Sequence, residues 1–64
     1  MQGYSGNELL EAERQIKSLL SKLYKVEPKL KPGSSQHSLL TNRVRALEIA
    51  LSLIDQKLLS LERH

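Results

Sequence analysis

The chain has 64 residues and carries 10 Lys and Arg against 7 Asp and Glu, so its net charge is +3. A chain this short forms one small domain and hides only about 60% of its unfolded surface, so its core needs a disulfide, a metal or a partner chain. The sequence contains no Cys, which excludes disulfides and thiolate zinc sites and leaves association with a partner as the expected support.

Helix 1 is predicted over residues 6–26. Ser5 and Glu8 fit the S-x-x-E capping box at its start, and Pro28 ends it because proline disfavours helical geometry at the preceding residue. Apolar residues spaced three and four apart predict an intramolecular packing seam, which consists of Leu9, Ala12, Ile16, Leu19, Leu23 and Val26.

Residues 27–34 are predicted to form a loop. Pro28, Pro32 and Gly33 interrupt any helix in this segment. Ser34 or Ser35 then provides the hydroxyl that caps the next helix.

Helix 2 is predicted over residues 35–62, and it is apolar on two sides. Its packing seam continues the heptad spacing through Leu40, Val44, Leu47, Leu51, Ile54 and Leu58. At about 100° per residue, a second stripe lies roughly a third of a turn away. That stripe consists of Ala46, Ile49, Ala50 and Leu53.

The predicted fold is all-α, a single domain formed by an antiparallel two-helix hairpin and completed by a partner chain or by self-association. Helix 2 is expected to overhang helix 1 by roughly two turns at 1.5 Å per residue. One other helix cannot cover both apolar sides of helix 2. The predicted partner-binding residues are therefore Ala46, Ile49, Ala50 and Leu53, with Leu20 and Tyr24 on helix 1.

No catalytic, cofactor or metal site is predicted. His37 lies among serines, but no neighbouring carboxylate would orient its imidazole, so a solvated helix start explains it better. With His64 as the second and last histidine, the chain lacks the ligands of a zinc site. Glu8, Glu11 and Glu13 suit the helix dipole and need no acid-base role.

Cations surround the predicted loop, namely Lys22, Lys25, Lys29, Lys31, Arg43 and Arg45. Such a cluster is typical of a solvated surface or of a rim that steers an acidic partner, and it favours these over nucleic acid. The chain also lacks the Phe and Trp of a stacking platform for single-stranded nucleic acid. No signal peptide is recognised, and no apolar stretch reaches the roughly 20 residues of a membrane span. A soluble intracellular protein without membrane insertion is expected.

The segment Gln36-His37-x-x-Leu40, followed by Arg45-Ala46-Leu47-Glu48-x-Ala50-Leu51-x-Leu53-Ile54, resembles the second helix of the small needle-protein co-chaperones of bacterial type III secretion (the YscE/PscE type). The resemblance implies a cytoplasmic hairpin that binds a tetratricopeptide-type chaperone, the two together keeping the needle subunit soluble and monomeric. The alternative is a homodimeric four-helix bundle that binds RNA or DNA through its basic tip or face.

Overall fold

The chain folds as two antiparallel α-helices in a computed structural model that describes residues 3–62, without the side chain of residue 62. Helix α1 spans Gly6–Val26, a single 3₁₀ turn spans Glu27–Lys29, and helix α2 spans Ser35–Glu62. No strand occurs within this range. The predicted all-α class is confirmed, and the arrangement agrees with the predicted hairpin.

Helix α1 begins at the predicted capping box. The Ser5 hydroxyl accepts a 3.1 Å hydrogen bond from the Glu8 amide, and the Glu8 carboxylate accepts one of 3.1 Å from the Ser5 amide. The bond that the Ser5 amide donates to the charged carboxylate lowers the pKa of Glu8. Two of the amides that every helix start leaves free are thus paired.

The connection between the helices is more ordered than a plain loop. Pro28 occupies the first turn of the 3₁₀ segment, where its missing amide is not needed. Gly33 takes a positive φ of 86°, a conformation open to glycine at little cost. The Ser34 hydroxyl then accepts a 3.1 Å hydrogen bond from the His37 amide, so Ser34 is the residue that caps α2.

The core is small and lies in the half of the hairpin near the loop. Only Leu20, Leu40 and Val44 are buried among the residues whose side chains are described. The partly buried side chains packed on them are Ile16, Leu23, Leu30, Leu47 and Leu51. Leu30 comes from the loop, so the connection supplies part of the cover.

The packing face of α1 differs from the predicted seam. Leu20 is 4% exposed and belongs to the core, whereas Leu19 and Val26 are 45% and 41% exposed. The side chains turned toward α2 keep the spacing of four and three but include two half-buried carboxylates; they are Leu9, Glu13, Ile16, Leu20, Leu23 and Glu27. The predicted seam contains only apolar residues, so it omits these two glutamates. It therefore lies about one residue away from the observed packing face of α1.

The expected overhang of α2 is much reduced. A β-carbon built on Gly6 would lie 3.9 Å from Leu61 Cδ1, so the last turn of α2 reaches the first turn of α1. The 3₁₀ turn and the extended Leu30 lengthen the first arm of the hairpin. Leu58 is half-buried there, while Leu59 stays largely exposed.

A candidate protein-interaction face

The two broad sides of the hairpin differ in chemistry. On one side the Tyr24 hydroxyl donates a 2.6 Å hydrogen bond to the Glu48 carboxylate, which links α1 to α2. We call this side the polar face. On the other side, Ala12 of α1 and Ile54 of α2 line a common groove.

The side opposite the Tyr24–Glu48 bond carries a row of apolar side chains on each helix, interrupted on α2 by Arg43 and Lys57. At about 100° per residue, side chains that follow the groove residues along each helix point to the same side of the hairpin. We call this side the apolar face. Its members beyond the groove are Leu19 and Val26 of α1 and Leu39, Ala46, Ala50 and Leu53 of α2, with Ile49 at its outer edge.

Large side chains on the apolar face are exposed to a degree unusual for leucine and isoleucine. Leu39, Ile49 and Leu53 are 57%, 56% and 60% exposed. A single exposed leucine is ordinary, but a contiguous patch of this kind marks an interaction site. Ala46 and Ala50, spaced four apart, leave room for another helix to approach closely.

The whole chain exposes more surface than a compact protein of its mass. Its accessible surface is 5369 Å² at 7.3 kDa, whereas a compact monomer of that mass exposes about 4,200 Å². The excess arises from the elongated shape, which measures 47 × 20 × 18 Å. It exceeds the about 800 Å² that each partner buries in a standard protein interface.

The structure divides the predicted partner-binding residues into three groups. Ala46, Ile49, Ala50 and Leu53 lie on the apolar face. Leu20 is in the core and is unavailable to a partner, which corrects that prediction. Tyr24 lies on the polar face, where it is half-exposed and bonded to Glu48.

Three members of the apolar face escaped the sequence prediction, namely Leu19, Val26 and Leu39. The first two had been assigned to the intramolecular seam. A signal was present in the sequence, because Ala12, Leu19 and Val26 recur every seven residues and form a stripe of their own.

The loop end of the hairpin is basic and its cations are not neutralised locally. Among the described side chains, the ion pairs are Glu11 with Arg14 at 2.7 Å and Glu13 with Lys17 at 3.8 Å, both in the first half of α1. The pairing with Arg14 lowers the pKa of Glu11. Within the same described set, no carboxylate pairs with Lys22, Lys25, Lys29, Lys31, Arg43 or Arg45.

The open end holds a pair of carboxyl groups from different helices. Glu13 of α1 and Asp55 of α2 line one groove together with Leu10 and Leu58. A hydrogen bond shared with Asp55 raises the pKa of Glu13. The Glu13 side chain is only 21% exposed, so its charged form is also partly removed from water.

The described part of the chain offers little material for metal chemistry. It contains no group of three His, Asp or Glu side chains close enough to share an ion. The Ser34 hydroxyl beside His37 is engaged by a backbone amide. His64 lies outside the described residues.

Neither described helix is apolar over a length that would cross a bilayer.

Comparison with known proteins gives no match: no family model, no curated protein and no solved structure is significantly similar to this chain.

Proposed function

We propose that this chain is a small non-enzymatic co-chaperone or adaptor that binds a helical protein partner through its apolar face. The observation that supports the proposal most directly is the contrast between the core, where Leu20, Leu40 and Val44 are buried, and the apolar face, where Leu39, Ile49 and Leu53 are more than half exposed. A helix-lined groove in a partner suits such a face.

The proposed mechanism is mutual stabilisation. The partner covers apolar surface that a 64-residue core cannot hide, and the hairpin shields apolar helices of the partner from aggregation. Because the complex forms only from folded hairpin, binding shifts the chain toward its folded state. Co-expression of the two proteins should raise the soluble yield of each.

The resemblance of residues 36–54 to needle-protein co-chaperones supports a more specific version. In that version the partner is a tetratricopeptide-type chaperone in the bacterial cytoplasm, and the complex keeps the needle subunit monomeric. The stripe containing Ala46 and Ala50 falls inside the segment that carries the resemblance.

The basic loop end favours a second candidate function. Cations without local partners suit phosphate groups, so a homodimeric four-helix bundle could bind RNA or DNA there. The effect of salt concentration on binding affinity distinguishes the two functions. Between about 50 and 200 mM salt, a protein making six phosphate contacts loses about a thousandfold in affinity, whereas an apolar complex changes little.

The test is affinity capture from the native cell with three forms of the chain. The unmodified chain and Ser52→Arg, a control on α2 outside the apolar face, should recover the same tetratricopeptide protein. Ala50→Arg should recover at least tenfold less, while its circular dichroism stays helical. Equal recovery by Ala50→Arg, or recovery of nucleic acid that is lost at raised salt, would contradict the proposal.

A further inference from the structure

The apolar face has the character of a surface that two copies of this chain can share, because it exposes large apolar side chains of both helices. It extends over both helices, from Val26 and Leu39 near the loop to Ala12 and Leu53 toward the open end.

A twofold axis can bring two such faces together in two ways. An axis parallel to the helices places both loops at the same end and sets α1 of one copy over α2 of the other. An axis across the helices sets the loop of one copy over the open end of the other, with α1 antiparallel to its own counterpart.

The distribution of charge along the chain favours one of these two arrangements. Residues 22–48 carry six cations and two anions, a net charge of +4, whereas the rest of the chain carries four cations and five anions, a net charge of −1. The parallel arrangement places the two basic segments, each with a net charge of +4, over one another. The antiparallel arrangement places the basic loop end of each copy over the acidic open end of the other.

We infer that, without another partner, two copies of this chain pair through their apolar faces as an antiparallel four-helix bundle. Near the axis, Leu19 of one copy meets Leu19 of the other. Val26 of each copy faces Ala12 of the other, so a larger side chain opposes a small one. Lys29 and Lys31 approach the acidic start of the second copy's α1.

This inference depends on the apolar face and is independent of the identity of any other partner. It adds a consequence to the proposed function, because self-pairing and partner binding use the same surface and exclude one another. The dimer would keep exposed leucines covered until a tighter-binding partner displaces the second copy.

Sedimentation equilibrium on the purified chain tests the association itself. The mass should rise from one copy to two as the concentration increases from micromolar to millimolar. Leu53→Glu should raise the dissociation constant at least tenfold, and Ser52→Glu, outside the apolar face, should leave it unchanged. A chain that stays monomeric throughout, or equal effects of the two variants, would overturn the inference.

Engineered cysteines test the orientation without background, since the chain has none of its own. Leu19→Cys should form a disulfide-linked dimer on mild oxidation, and Ser21→Cys, on the far side of α1, should not. Leu19 is 45% exposed, so its replacement leaves the core intact. Linkage of Leu19→Cys only to Ala50→Cys in a mixture would indicate the parallel arrangement and refute the antiparallel one.

Failure of these tests would leave the proposed function standing. A monomeric chain can still lose its captured partner through Ala50→Arg. Conversely, a stable antiparallel dimer that recovers no helical protein partner would support the inference while contradicting the co-chaperone role.

Discussion

The loop half and the open half of the hairpin use similar sequences to different effect. Both halves contain leucines at heptad spacing, yet the buried side chains among those described, Leu20, Leu40 and Val44, lie in the loop half. There the connection adds Leu30 as a third side of cover. Within residues 3–62 the open half has no such element, and its helices leave a groove on each broad side.

The comparison shows what two helices can achieve alone. Two helices that pack against each other bury only a narrow strip of side chains along their line of contact. A side chain becomes fully buried only where a third element adjoins both helices. The loop supplies that element at one end. At the other end the described residues leave apolar side chains exposed beside the groove, which is consistent with the proposed interaction surface.

The largest expected effect comes from the adjacent leucines of α1. Leu20→Ala should cost about 3 kcal/mol, because it leaves a cavity in the core. Since a core of this size supplies only about 3–5 kcal/mol in total, the variant should be largely unfolded. Leu19→Ala should change the stability of the single chain by less than about 0.5 kcal/mol.

Thermal unfolding followed by circular dichroism, at concentrations low enough to keep the chain monomeric, measures both variants. Equal destabilisation by the two would mean that α1 packs through the seam that includes Leu19. It would remove the distinction between a core near the loop and an apolar face beside it.

A smaller and more local effect is expected at the open end. Ser5→Ala removes the capping hydroxyl and should weaken the first turns of α1 by about 1 kcal/mol, a factor of about 5 in local opening. Hydrogen exchange should quicken for amides near residues 8–12 and change less around Leu20. A uniform increase along α1 would indicate that the two halves open as one unit.

The smallest effect is expected from the carboxyl pair. Because the pKa of Glu13 is raised by Asp55, its contribution to stability is complete below its unfolded value near 4.5 and is lost as the pH rises through the folded pKa. Glu13→Gln should therefore stabilise the hairpin at neutral pH, despite losing the contact with Lys17. The gain should shrink toward pH 4.

Glu8 and Glu11 act in the opposite direction. Their pKa values are lowered, so they stabilise the hairpin above their unfolded values and lose that effect as the pH falls. Comparing each variant with the parent chain at the same pH removes this background. A Glu13→Gln variant that is less stable than the parent at neutral pH would show that the Lys17 contact outweighs the carboxyl pair.

Local signals in the sequence located the elements well. The capping box at Ser5 and Glu8, together with the break at Pro28, marks a helix over residues 6–26, and α1 spans that range. These signals act through the nearest few residues, so they can be read without tertiary information. The packing residues of α2 also follow from spacing, because Leu40 and Val44 belong to its predicted heptad seam and both are buried.

The orientation of α1 about its own axis could not be read in the same way. Its apolar arc is broad, and spacing of three and four fits both a line through Leu19 and a line through Leu20. In the structure α1 packs against α2 through Leu20, and Glu13 and Glu27 are half-buried on the same side. Glu13 faces Asp55 of α2, a contact between residues far apart in sequence that no local pattern reveals.

The position of the core close to the turn also sets an order of assembly. Leu20 and Leu40, which share the buried cluster, are about 20 residues apart, whereas Gly6 and Leu61 are about 55 apart. Direct closure of the longer segment costs about 0.9 kcal/mol more in chain entropy. We therefore expect the two helices to pair first near the loop and then progressively toward the chain termini.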